Sequence, residues 1–98
     1  MRSITEIRAD FPILGTTVHG HPLVYLDSGA TMQIPNRVLD ALEEQYRHHH
    51  ANIHRGIHFL SEQSTIRVEQ ARRTVAEFIG AAEPEEIIFT SGTTQTIN

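Results

Sequence analysis

A chain of 98 residues is one small domain or a piece of a larger one. Its eight basic residues, all arginine, stand against twelve acidic ones, and a net charge of −4 disfavours a surface built to neutralise nucleic-acid phosphates. With no cysteine and no lysine, it has no disulfide, thiolate metal site, cysteine nucleophile or side-chain amine for Schiff-base chemistry.

Leu, Ile, Val and Phe make up 26 of the 98 residues, enough for a folded core. The apolar runs reach only three or four residues, too short to span a membrane, and Met1 to Glu6 has no signal-peptide character. The expected compartment is the cytoplasm.

Ser3 and Glu6 have capping-box spacing, which predicts a short helix over Ile4 to Arg8. Phe11-Pro12 stops it, because the residue before proline avoids helical geometry. Residues 18–22, Val-His-Gly-His-Pro, read as a turn. Leu23-Val24-Tyr25-Leu26 reads as a short strand, followed by the small polar loop Asp27-Ser28-Gly29-Ala30-Thr31. Pro35 suits a first helical position, and Val38, Leu39, Leu42 and Tyr46 predict an amphipathic helix over 35–48. His48 to Gly56 reads as loop. A longer helix is predicted over 61–79, with Ser61 as N-cap, a stripe of Val68, Ala71, Val75, Phe78 and Ile79, and Gly80 as C-cap. Pro84-Glu85-Glu86 is a turn, Ile87 to Thr90 a buried strand, Ser91 to Thr94 a loop, and Gln95 to Asn98 the opening of a helix. Sequential strand–loop–helix units build parallel sheets, so residues 1–98 are expected to be the front of a longer α/β protein.

Three segments can carry chemistry. A strand leading through Gly92 into a helix presents unpaired backbone N–H groups. With the hydroxyls of Thr93 and Thr94 these can hold a phosphate; the alternative is that a threonine only caps the helix. Without lysine this is not a Walker A loop. In the second segment, His54 and Arg55 share a loop with Asn52 and Gly56 that can recognise an anion and pass protons, or is a plain surface loop. His54 and His58 are four apart, but Arg55 stands where a zinc-protease motif needs glutamate, and the His48-His49-His50 tract reads as a solvated helix end rather than a metal site. The third is the 27–31 loop, beyond the carboxyl end of a predicted strand, where ligands of open α/β folds sit. Glu43-Glu44 and Glu83, Glu85 and Glu86 read as solvated faces.

Taken in order, several stretches together resemble one family. They are Phe11-Pro12-Ile13-Leu14, Leu23 to Thr31, Gln33-Ile34-Pro35, Tyr46-Arg47, His54-Arg55-Gly56-Ile57-His58 and Ser91 to Asn98. They resemble the N-terminal region of the SUF-type cysteine desulfurases and selenocysteine lyases, in the class V aminotransferase superfamily of pyridoxal-phosphate enzymes. The resemblance covers nearly all of this chain and about the first quarter of the family's enzyme.

It implies a fold-type I transferase, here a small-domain segment plus the start of the large parallel-sheet domain, cut at the first helix after the Gly-Thr-Thr loop. It implies pyridoxal 5′-phosphate as cofactor and a homodimer with active sites near the subunit interface. The reaction implied takes sulfur from L-cysteine, leaves L-alanine and an enzyme persulfide, and passes the sulfur to an acceptor protein of iron–sulfur cluster assembly. By the same resemblance, Thr93 and Thr94 hold the cofactor phosphate and Gly29 and Ala30 line its substrate side. His54 and Arg55 belong to a loop near the active-site entrance, and Asp27 anchors its own loop. No metal is implied. Gly29 stands where the family often has alanine, Ile34 where lysine is common and Gln95 where glutamate is common. The family's Schiff-base lysine, persulfide cysteine, ring-stacking histidine and pyridine-nitrogen aspartate all lie beyond the matched region. The chain alone is therefore expected to be inactive. The rival readings are a selenocysteine lyase, another class V member such as an epimerase or aminotransferase, and a non-catalytic dimerisation module.

Overall fold

The computed structural model describes residues 1–54 and 57–98, which form two compact units, Met1–His48 and His49–Asn98.

In the first unit the Ser3–Glu6 capping box forms as predicted. The Ser3 hydroxyl accepts from the Glu6 N–H at 3.3 Å, and the Glu6 carboxylate accepts from the Ser3 N–H at 2.6 Å. It opens α1, Ile4–Ala9. Arg2 grips the far end of the helix through both Asp10 oxygens, at 2.7 and 3.0 Å. These contacts hold both carboxyls below their ordinary range, Glu6 chiefly through the Ser3 N–H and Asp10 chiefly through Arg2. A depressed carboxyl stabilises the fold above its unfolded-state value and loses that contribution as pH falls through the folded one. Protection of the α1 amides from exchange, taken relative to their intrinsic rates at each pH, is therefore expected to fall below about pH 4, and Glu6→Gln to remove the Glu6 share of that dependence.

Pro12–Gly15 makes one 3-10 turn and leads into a hairpin of β1, Thr17–Val18, and β2, His21–Pro22, antiparallel with Val18 opposite His21. His19 and Gly20 both have positive φ, 50° and 78°, as the tight primed turn requires. The predicted turn is thus flanked by two short strands that the sequence reading omitted. Arg8 donates to the carbonyls of Leu14 (3.1 Å) and Leu23 (2.7 Å), tying α1 to the hairpin's exit.

The predicted strand Leu23–Leu26 does not form. Among the described residues no strand pairs with it, only the Leu23 N–H continuing to the Thr16 carbonyl at 2.9 Å, and Leu26 is 91% exposed. Its composition suits a strand, but a strand exists only with a neighbour to share its ladder. α2 spans Asn36–Glu44, and Pro35 is its N-cap rather than its first residue. The Pro35 carbonyl accepts from Val38 and Leu39, and the Asn36 N–H donates to the Asp10 carbonyl at 2.8 Å. The helical path continues to His49, but Gln45–His49 is wound as a π-turn.

The second unit is organised by α3, Phe59–Ile79. It begins earlier than predicted, with His58 as N-cap, its Nδ1 accepting from the Ser61 N–H at 3.3 Å. Ser61 is therefore free for another task. It is 1% exposed and donates to the Asn52 carbonyl at 2.6 Å, while buried Ser64 donates to the His49 carbonyl at 2.8 Å. Two serines, Ser61 and Ser64, form the covered face of the first turns, ahead of the predicted apolar stripe, which starts at Val68. Of that stripe Phe78 is 90% exposed; among the described residues the buried apolar ones are Ala76 and Ile87. Gly80 closes the helix in the left-handed region, φ 74°, as predicted.

Pro84–Glu86 forms a 3-10 turn. Ile87 to Thr90, predicted as a strand, has no partner strand among the described residues, and Ile88 is 80% exposed. The reason is that given for Leu23–Leu26. α4, Thr93–Ile97, begins two residues before the predicted helix, with Gly92 as its N-cap. Among the described residues no helix is long and apolar enough to cross a membrane.

Candidate functional site

The 27–31 loop is a compact turn. The Asp27 carbonyl accepts from the N–H groups of Ala30 and Thr31, both at 3.1 Å. The Tyr25 hydroxyl lies 2.6 Å from the Thr31 carbonyl and 3.1 Å from that of Asp27, closing the loop over its own backbone. Asp27 thus anchors the loop through its main chain. Gly29 lies outside the left-handed region, and a methyl added there would meet nothing within 4 Å. The alanine common at this place in the resembled family would fit without any shift.

Gly29 and Ala30 belong to the first unit; His54, Thr93 and Thr94 belong to the second. Arg55, named with His54 in the sequence, lies outside the described residues.

At the start of α4, Gly92 offers no side chain to cap the helix. Among the described residues the N–H groups of Thr93, Thr94 and Gln95 have no acceptor. Two local contacts hold the turn that carries them. Gln95 Oε1 accepts from the Ser91 N–H at 2.7 Å and from its hydroxyl at 2.8 Å. The Gly92 carbonyl accepts from the Thr96 N–H and hydroxyl, at 3.1 and 3.0 Å. Gln95 thus reaches back to its own loop. The result is an exposed hollow of about 460 Å³ lined by Ser91, Gly92, Thr93, Thr94, Gln95 and Asn98. Three N–H donors without an acceptor and two threonine hydroxyls around one hollow can hold an anion such as a phosphate.

His54 takes a left-handed backbone, φ 57°. Its N–H donates to Thr65 Oγ1 at 3.0 Å, and its Nε2 lies 3.5 Å from Glu69 Oε1. With Ile57, Glu62, Thr65 and Ile66 it lines a cavity of about 500 Å³. His58, the other member of the i, i+4 pair, is engaged as the N-cap of α3. Among the described residues no three His, Asp or Glu side chains stand together as metal ligands. Sequence reasoning missed Thr65 and Glu69. Neither belongs to a motif, and only the path of the chain around α3 brings them to His54.

Residues 24–98 match the family model of the class-V aminotransferases. The chain is 54% identical to a cysteine desulfurase of Pectobacterium atrosepticum over 97% of its own length and 23% of that protein's. It is 50% identical to a cysteine desulfurase of Escherichia coli, over 98% of this chain and 24% of that one. Among solved structures, the apo form of a cysteine desulfurase from Thermococcus onnurineus matches with a TM-score of 0.85 and 38% identity, covering 99% of this chain and 22% of that one. The chain thus spans about a quarter of the length of the curated relatives it matches. It shares the fold of part of a fold-type I transferase, which bears out the α/β class read from the sequence. The chain belongs to the class-V aminotransferase family.

Proposed function

We propose that these residues form the N-terminal part of a pyridoxal-phosphate-dependent cysteine desulfurase, a cytoplasmic homodimer that moves sulfur from L-cysteine to an acceptor protein of iron–sulfur cluster assembly. The observation that carries this reading is identity of 50–54% to cysteine desulfurases over nearly the whole chain. The Ser91-Gly92-Thr93-Thr94 turn supports it, because its donor set suits the cofactor's phosphate.

In this reading Thr93 and Thr94 hold the phosphate through their N–H groups and hydroxyls, and Gln95 keeps the turn in shape by bonding Ser91. Gly29 and Ala30 leave room on the substrate side. His54 and Arg55 meet the substrate near the entrance. Pyridoxal phosphate, when bound, supplies an electron sink for the substrate's α-carbon. L-cysteine and an enzyme thiol give L-alanine and the enzyme persulfide. One sulfur atom changes partners and no outside oxidant is needed. The thiol and the cofactor-holding lysine lie in the portion of the enzyme beyond this chain.

The test uses the purified full-length protein that carries these residues, given L-cysteine and L-selenocysteine separately. Alanine formed from L-cysteine in step with protein-bound sulfane sulfur is the expected result. Turnover of selenocysteine alone would reassign the protein to the lyases. Turnover of neither would remove the reading.

A further inference from the structure

His54 is held by more than its own loop. Its N–H is fixed on Thr65 Oγ1, and the Thr65 hydroxyl in turn donates to the Ser61 carbonyl of α3 at 2.9 Å. Its ring nitrogen faces one oxygen of Glu69 at 3.5 Å. The other oxygen of Glu69 lies 3.4 Å from Arg72 Nε, one helical turn on. Arg72 donates from Nη1 to the Ile87 carbonyl and lies over the Phe89 ring, 5.2 Å from its centre. Ile87 and Phe89 lead directly into the Ser91–Thr94 turn. One carboxylate therefore stands between two segments far apart in sequence, the histidine loop and the approach to the phosphate-type hollow.

We propose that Glu69 is a positioning residue that fixes the His54 ring with one oxygen and, through Arg72, the Ile87–Phe89 segment with the other. Two facts favour this over a simple stabilising pair. Half-exposed ion pairs add little stability, and Glu69 and His54 are 38% and 53% exposed. A Glu–Arg pair on one helix face also needs no histidine, yet His54 adopts a backbone unusual for a non-glycine residue beside this carboxylate. The consequence for turnover rests on the desulfurase reading above; the coupling of the two segments does not.

The test is Glu69→Gln in the full-length protein with cofactor bound, followed by hydrogen–deuterium exchange and mass spectrometry. Exchange over residues 50–54 and 87–92 is expected to rise together, by about twofold to fivefold, while the middle of α3 keeps its rate. With L-cysteine, kcat/KM is expected to fall by a similar factor. It should fall by less than that when His54→Gln is already present, because the share that acts through His54 is then already lost. Unchanged exchange, a rise in one segment only, a rise along the whole of α3, or rate losses that multiply would each overturn the proposal. If Glu69→Gln does not fold, Glu69→Asp, which keeps the charge but withdraws it by one methylene, is read by the same exchange criteria. A full-length protein inert towards L-cysteine but showing the paired rise would sink the desulfurase reading and leave this coupling standing.

Discussion

Changing Thr93 and Thr94 together to alanine in the full-length protein is expected to lower its affinity for pyridoxal phosphate by a factor of about ten to several hundred. Losing one hydrogen bond to a charged group costs about 1.5–3 kcal/mol, and every 1.4 kcal/mol is about tenfold in affinity, so the range is a net loss of about one such bond between the two hydroxyls. The backbone donors of the turn survive the change, so binding weakens rather than disappears. The helix itself should also survive. Its N-cap is Gly92, and the contacts that hold the turn come from Gln95 and Thr96, not from the two threonine hydroxyls removed. Equilibrium dialysis against the free cofactor reads the effect directly. An unchanged affinity would take the phosphate away from this turn.

The second large effect is a complete loss. The 98-residue chain by itself is expected to convert no L-cysteine above the rate of free pyridoxal phosphate. Desulfuration needs a lysine amine to hold the cofactor's aldehyde carbon and a thiolate to take the sulfur, and the chain has neither lysine nor cysteine. Its one primary amine is the N-terminal one, beside Arg2 and Ser3, in a segment that the α1 cap occupies. Reduction with borohydride followed by peptide mapping should find no internal cofactor adduct. Alanine above background, in a preparation free of full-length enzyme, would mean that the chemistry lies on other residues.

What the sequence made legible was local. The Ser3–Glu6 box, the His19-Gly20 turn and the Gly80 stop each depend on residues within a few positions of one another, and each stands in the structure. The Gly92-Thr93-Thr94 turn was legible for the same reason. What failed was non-local. Leu23–Leu26 and Ile87–Thr90 have strand composition, but a ladder needs a partner strand, and the described residues supply none. Ser61 looked like a helix cap until His58 took that place and left the serine to pin Asn52. The stripe through Phe78 has helical spacing but lies largely exposed, because among the described residues little packs on it. At the candidate site, His54 stood out in sequence as one half of a His-Arg pair. Its contacts to Thr65 and Glu69 did not, since residues eleven and fifteen positions away form no motif with it.

The central claim, that these residues are a working part of a cysteine desulfurase, is tested most directly by a graft. The matching segment of the Escherichia coli cysteine desulfurase, which is 50% identical to this chain, is replaced by residues 1–98, and alanine release from L-cysteine is measured with added pyridoxal phosphate. The account predicts cofactor-dependent alanine formation, weakened when Thr93 and Thr94 of the grafted segment become alanine. A graft that folds and dimerises like its parent, yet takes up no cofactor and forms no alanine, would contradict it.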